Sequence, residues 1–115
     1  MVTLTLPSID HFLCYEAKTA EGEPKFERRS VTLEDQFGSV QMTVRKPEFF
    51  CNPVEKNGEG IPDPALHLTC YKIRDDDGEE FERRDVVVEN QFGEQILTVK
   101  KPKLLCVPSL KTGGQ

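Results

Sequence analysis

The chain contains 115 residues, of which 37% are apolar and 30% are charged, and its formal net charge is −5. This acidic balance argues against a nucleic-acid partner and against an anionic membrane surface, because both usually face basic protein surfaces. No apolar run approaches the roughly 18 residues of a membrane span, and no basic region with an apolar core marks a signal peptide. We therefore expect a soluble protein without membrane insertion, with its signal peptide removed if it is secreted.

The first nine residues alternate Val2, Leu4 and Leu6 with threonines, which predicts a short edge strand that ends at Pro7. This segment has no counterpart later in the chain. It either closes a sheet edge or adds a strand to the sheet of another protein module or of a second copy.

The rest of the chain is duplicated. Residues 26–56 and 81–111 align with 16 identities in 31 positions, and the block His11-x-x-Cys14-Tyr15 recurs 56 residues later. We therefore predict one domain, residues 1–115, with a first repeat at 10–56, a linker at 57–65 and a second repeat at 66–111. Each half is of a size at which a hydrophobic core alone is marginal, so the halves share a core or are held by bridges.

Each repeat begins with an alternating apolar and polar pattern, residues 11–18 and 67–74, which predicts a half-buried strand. The segments that follow carry Glu21-Gly22 and Asp77-Gly78. An acidic residue before glycine between two strands is typical of a hairpin turn.

The acidic segment after the first strand of the second repeat also offers oxygen ligands from Asp75, Asp77 and Glu79, a candidate calcium site. The alternating acids of an EF-hand are absent, and the first repeat has Thr19 and Ala20 at the start of its equivalent segment. A solvated acidic turn is the simpler interpretation.

The second predicted strand of each repeat ends in the same Gln-Phe-Gly sequence, at Phe37 and at Phe92. Asp35 or Asn90 is expected to start the turn, while glycine provides the permissive backbone and phenylalanine anchors the corner in the core. The arginine pairs at 28–29 and 83–84 precede these strands. They suggest an anion site or, more simply, pairing with acids of a neighbouring strand.

The third predicted strand, 40–46 or 95–101, is expected to end at Pro47 or Pro102, and an apolar tail then returns towards the first strand. One cysteine lies near each end of each repeat. Four cysteines allow three pairings, and duplication favours one bridge within each repeat: Cys14 with Cys51, and Cys70 with Cys106. Such bridges imply an oxidising compartment.

Two alternatives to the bridges stay open. In the first alternative, the four cysteines are reduced core residues of a cytosolic protein. Alternatively, His11 with Cys14 and His67 with Cys70 would bind zinc, although residues three apart on a strand point to opposite faces.

With these residues assembled, the chain resembles an uncharacterised family of extracellular bacterial repeat modules, common in predicted secreted proteins of myxobacteria and related lineages. The resemblance covers about residues 10–111 and implies secretion and a tandem cysteine-bridged unit, with no known activity. The matching motifs are Asp10-His11-Phe12-x-Cys14-Tyr15, Asp35-Gln36-Phe37-Gly38, Lys46-Pro47, Cys51-Asn52-Pro53-Val54-x-Lys56-Asn57-Gly58-Glu59-Gly60, His67-Leu68-x-Cys70-Tyr71-Lys72, Asn90-Gln91-Phe92-Gly93 and Leu105-Cys106-Val107-Pro108-Ser109.

We expect an all-β fold in which two three-stranded repeats, related by a pseudo-twofold axis, form a six-stranded barrel or a compact sandwich. Two separate small domains are the alternative. The predicted core consists of Tyr15, Val31, Leu33, Phe37, Tyr71, Val86, Val88 and Phe92.

The function expected from these patterns is a non-catalytic, extracellular structural or adhesion module. A module that binds glycan or another surface polymer is the second hypothesis, in a groove between the repeats lined by Tyr15, Tyr71, Arg28, Arg29, Arg83 and Arg84. An enzyme is the least favoured, because His11 and His67 are the only histidines and no catalytic or cofactor-binding motif is present. No cofactor is expected.

Overall fold

The computed structural model describes residues 10–76 and 81–113, which form seven β-strands. The predicted strand at residues 2–6 and the Asp77-Gly78 turn lie outside the described residues. The strands are β1 (His11–Glu16), β2 (Arg29–Asp35), β3 (Gly38–Val54), β4 (His67–Asp75), β5 (Arg84–Asn90), β6 (Gly93–Val99) and β7 (Leu104–Ser109).

The main sheet has the antiparallel order β1-β3-β4-β7, and β2 pairs with the first half of β3. Strand β5 pairs with β6 as a separate two-stranded sheet. The sequence repeat is reproduced in the strand limits, because β5 begins 55 residues after β2, β6 begins 55 after β3, and β7 ends 55 after β3. The all-β prediction is correct, because the elements of the described residues are all strands.

The predicted barrel and twofold axis are not found in the described part of the chain. Strands β1 and β7 lie on opposite edges of an open sheet. Because β1 and β4 both run antiparallel to β3, the equivalent strands β1 and β4 point in the same direction along the sheet. A twofold axis through this sheet would exchange β3 with β4, whose sequences are not equivalent.

Strand β3 continues through Pro47, where the sequence predicted its end. The pairing of β3 with β4 shifts register between Val44 and Lys46 and again between Pro47 and Phe49. Irregular positions of this kind accept proline, which has no amide hydrogen for the ladder. The second repeat follows the prediction, since β6 ends at Val99 and β7 begins only after Pro102.

The two Gln-Phe-Gly turns have the predicted geometry. A side-chain oxygen of Asp35 accepts a hydrogen bond from the amide of Phe37 at 2.8 Å, and Asn90 accepts one from the amide of Phe92 at 2.9 Å. Gly38 has a φ of 140° and Gly93 one of 117°, a region that side chains disfavour. The turn at Glu21-Gly22 is also present, but β1 and β2 both pair with β3, so it does not join a hairpin.

The predicted core is wrong, because none of its eight residues is buried. The buried apolar side chains of the described residues are Met42, Val44, Cys51 and Cys70. Phe37, Phe92 and Tyr15 are exposed, because the phenylalanines lie at turn tips and the sheet is open. The five remaining residues of the predicted core are half-buried: Val31, Leu33, Tyr71, Val86 and Val88.

Candidate functional site

The four cysteines form two disulfides with the predicted pairing, Cys14 with Cys51 and Cys70 with Cys106. Each bridge joins directly opposite residues of neighbouring antiparallel strands, β1 with β3 and β4 with β7. The strand register therefore brings together the two cysteines of each repeat, which are 37 and 36 residues apart in sequence.

The two bridges are also neighbours. Their sulfur atoms on β3 and β4, those of Cys51 and Cys70, are 3.9 Å apart and buried. The outer cysteines, Cys14 and Cys106, are exposed. The four sulfur atoms therefore lie in one row that crosses β1, β3, β4 and β7.

The bridges argue against the zinc hypothesis. Zinc is bound by the thiolate form of cysteine, whereas Cys14 and Cys70 are both oxidised here. Among the described residues, no group of three or more histidine, cysteine or acidic side chains is arranged to hold a metal ion. Of the calcium candidates, Asp75 is on β4, and Asp77 and Glu79 lie outside the described residues.

The two histidines have different surroundings. His67 is buried, its Nδ1 lies 3.1 Å from the side-chain oxygen of Asn52, and its ring stacks on Phe50 at 5.4 Å between centroids. His11 is partly exposed, with Nε2 3.8 Å from a carboxylate oxygen of Glu59. His67 is thus part of the sheet packing, and His11 belongs to a surface charge cluster.

The six predicted ligand-binding residues are not brought together. Tyr71 packs on Phe26 at 5.1 Å between ring centroids, and the guanidinium of Arg29 lies 5.5 Å from the centroid of the Phe26 ring. Arg28 lines a wide depression of about 840 Å³ beside the β1–β2 connection. Tyr15 and Arg83 are exposed, and Arg84 lies in a groove between the repeats.

This inter-repeat groove has a volume of about 600 Å³. Its apolar part includes Leu33, Val40 and Ile73, and its basic part consists of Arg84, Lys100 and Lys101. The sequence predicted a groove between the repeats but, of the six residues assigned to it, only Arg84 lines it. In the sequence, the alternating pattern of β2 could have indicated Leu33. The Lys100-Lys101-Pro102 sequence could have indicated the basic part of the groove.

Arg84 connects the second repeat to the turn of the first. Its guanidinium lies 4.8 Å from the centroid of the Phe37 ring, and its Nη2 donates to the Phe37 carbonyl oxygen at 3.4 Å. Glu82 lies 3.8 Å from the same nitrogen. The sequence predicted pairing with an acid of a neighbouring strand, whereas Glu82 lies two residues before Arg84 in the same segment. The aromatic contact with Phe37 was not indicated by the sequence.

A second cluster that the sequence did not predict is centred on Glu59 in the linker. Its carboxylate accepts from Lys56 at 3.0 Å and from the side-chain amide of Gln91 at 2.8 Å. The ammonium of Lys56 also lies 5.4 Å from the ring of Phe92. The hydrogen bond and charge of Lys56, with smaller contributions from His11 and Gln91, hold the pKa of Glu59 below its ordinary value of 4.5.

Comparisons with protein-family models, with curated proteins and with solved structures return no match to this chain. The described residues contain no helix that is long and apolar enough to cross a membrane.

Proposed function

We propose that this chain is a non-catalytic structural or adhesion module of a bacterial surface or secreted protein, built from two disulfide-bridged repeats. The observation that carries the proposal is the row of four bridged cysteines across the main sheet. Disulfides persist in oxidising compartments and are typical of small secreted domains with limited cores. Here two of the four buried apolar residues in the described part of the chain are themselves cysteines.

The residues that the repeats share also support a structural role. The shared cysteines form the bridges, and the shared glycines, Gly38 and Gly93, form the turns. The shared histidine position is a packing residue in one repeat and a surface residue in the other. A reactive centre would instead bring unlike functional groups together at one place.

The proposal is tested on protein recovered from its native cells. Cells are fractionated, thiols are blocked before lysis, and the bridges are mapped by non-reducing peptide analysis. We expect the protein outside the cell or on its surface, with Cys14 linked to Cys51 and Cys70 to Cys106. Free thiols in protein from the cell interior would overturn the extracellular assignment.

A second candidate function is binding of glycan or another surface polymer, for which the inter-repeat groove provides the site. The groove combines an apolar surface with Arg84, Lys100 and Lys101, and binding sites commonly pair apolar lining with a few polar groups. Binding of a glycan array by the native protein, lost in Phe37→Ala but kept in Phe92→Ala, would favour this function. If neither the native protein nor the two variants bind any glycan, the structural role remains.

A further inference from the structure

The junction between the two repeats is formed by β3 and β4. Strand β1, at one edge of the main sheet, corresponds to one half of this junction; β7, at the other edge, together with β6 of the separate β5–β6 sheet, corresponds to the other half. In sequence, β1 corresponds to β4, and β6 with β7 correspond to β3. Within the described residues, β4 pairs with strands on both edges, but β1 pairs only with β3, β7 only with β4, and β6 only with β5. The edges that would meet a preceding and a following repeat are therefore open.

The open edges expose residues that are buried in the junction. Met42 of β3 is 2% exposed, whereas its equivalent on β6, Leu97, is 40% exposed. Cys51 is fully buried, and its equivalent Cys106 is exposed. The apolar character of these positions is kept in the second repeat although no described strand covers them.

The strands are also shorter at the open edges. Strand β4 continues to Asp75, whereas β1 ends at Glu16, three residues short of the equivalent position. Strand β3 runs unbroken across the segment that corresponds to the gap at 100–103 between β6 and β7. The missing pieces correspond to residues that pair across the junction, such as Ile73, which lies opposite Val44, and Lys46, which lies opposite Lys72. Equivalent segments therefore form strand at the junction, where the other repeat pairs with them. They do not form strand at the edges, where no described strand pairs with them.

We propose that a second copy of this chain docks head to tail, with its β1 antiparallel to the outer edge of β6 and β7. The register is that of the internal junction, in which Phe50 lies opposite Thr69, so Leu105 of one copy lies opposite Leu13 of the next. This inference rests on the proposed structural role and supplies its partner. Unpaired strand edges are ready templates for such pairing.

At one position, the charges favour strand pairing between two copies more than they favour pairing at the internal junction. In the internal junction Lys46 lies opposite Lys72. The equivalent residues at the open edges are Lys101 and Glu16, which carry opposite charges. Opposite charges across neighbouring strands stabilise pairing, and like charges destabilise it.

The contact joins two different surfaces of the chain, so it does not close on itself after two copies. A heterologous contact that relates copies by a shift gives open chains. We therefore expect sizes that increase with concentration beyond the dimer.

The test is sedimentation velocity on the intact, bridged protein from about 10 μM to about 1 mM, a range that detects weak association. We expect open-ended association that Glu16→Lys and Lys101→Glu each weaken about tenfold. The double variant restores the opposite charges and is expected to restore association. Glu55→Lys, at an exposed position just after β3, is the matched control and should associate as the unaltered chain does.

Hydrogen exchange provides a second measurement. Association should protect the amides at 17–19 and at the non-proline positions of 100–103, because these segments would become paired strand. Peptide mapping of the bridges shows that each variant is folded before it is compared.

A protein that stays monomeric, one that stops at a dimer, or a double variant that does not recover would overturn the proposal. So would association that is lost when residues 1–9 are deleted but is unaffected by the charge variants, because the N-terminal segment would then be the docking strand. A monomer with both bridges intact removes the assembly and leaves the structural role. Free thiols in the native protein would overturn the extracellular role but not the assembly, which sedimentation tests separately.

Discussion

The sulfur atoms of Cys51 and Cys70 lie 3.9 Å apart, although each is bonded to a different partner. Cys51 belongs to the first repeat and Cys70 to the second, so this contact is where the two bridges meet. Both residues are buried, and with Met42 and Val44 they are the buried apolar residues of the described chain. Bridging and core packing are therefore carried by the same side chains.

Removing one bridge should strongly destabilise the fold. We expect the double variant Cys14→Ala with Cys51→Ala to lose about 4 kcal/mol in its free energy of unfolding, the value for a closed loop of this length. The pair Cys70→Ala with Cys106→Ala should lose a similar amount, because its loop is nearly equal. Urea unfolding followed by circular dichroism measures both. A loss below about 1 kcal/mol in either variant would contradict the expectation.

Removing a single outer cysteine should cause exchange between the bridges. In Cys14→Ala, the thiolate of Cys51 lies next to the sulfur of Cys70 and can attack it. The Cys51–Cys70 bond forms, the Cys70–Cys106 bond breaks, and Cys106 leaves as a thiolate that takes up a proton. No external oxidant is needed, and the rate should increase with pH as thiolate forms.

Non-reducing peptide mapping after alkaline incubation detects this exchange. The matched control is Cys51→Ala, which leaves a thiol at Cys14. The Cys14 sulfur is bonded to that of Cys51 in the intact protein, but its backbone lies on β1, two strand spacings or about 10 Å from β4. Slower exchange is therefore expected in the control than in Cys14→Ala, and an unchanged Cys70–Cys106 bridge in Cys14→Ala would refute the prediction.

Equivalent positions in the two repeats should respond differently to truncation. Met42→Ala removes a side chain that is 2% exposed, and we expect a loss of about 2–5 kcal/mol. Leu97→Ala, at the equivalent position, removes one that is 40% exposed, and the loss in the monomer should be below about 1 kcal/mol. Urea unfolding at low protein concentration compares them, and equal losses would argue against the burial difference.

The Glu59 cluster should depend on pH on the acid side. Because the folded pKa of Glu59 is below its ordinary value of 4.5, its interactions stabilise the fold above that pH. This contribution is lost as pH falls through the lower, folded pKa. Carboxyl NMR titration measures this pKa directly.

Lys56→Met should return the pKa of Glu59 towards its ordinary value, since the hydrogen bond from Lys56 is the largest cause of the shift. Gln91→Ala should have a smaller effect, because its hydrogen bond contributes least. If Gln91→Ala moved the titration further than Lys56→Met, the assignment of causes would be wrong.

The bridges and the Gln-Phe-Gly turns could be predicted from the sequence because both depend on local or duplicated patterns. Each cysteine has an equivalent 55 or 56 residues away, which selects one pairing of three. Asp35 and Asn90 bond to amides two residues ahead, so their role depends on neighbours in the chain. These features needed no knowledge of how the repeats pack.

The path of β3 and the exposure of the turn phenylalanines could not be predicted in the same way. Lys46-Pro47 and Lys101-Pro102 have identical sequences, yet only the first lies within a strand. The difference is the neighbour, because β4 pairs with Lys46 and Pro47, and no described strand pairs with Lys101. A closed fold would place Phe37 and Phe92 in its core, whereas the observed sheet is open and both side chains are exposed.

The placement of the bridges determines how this protein would respond to a pulling force on its two ends. Each disulfide locks the chain between its cysteines, so force cannot draw out the loops at 14–51 or 70–106. The segment from Cys51 to Cys70, 19 residues apart, carries the tension and can extend to about 65 Å at most. Stretching would therefore separate β3 from β4 and then stop, so the module would act as a tether of limited length whose limit is released only by reduction.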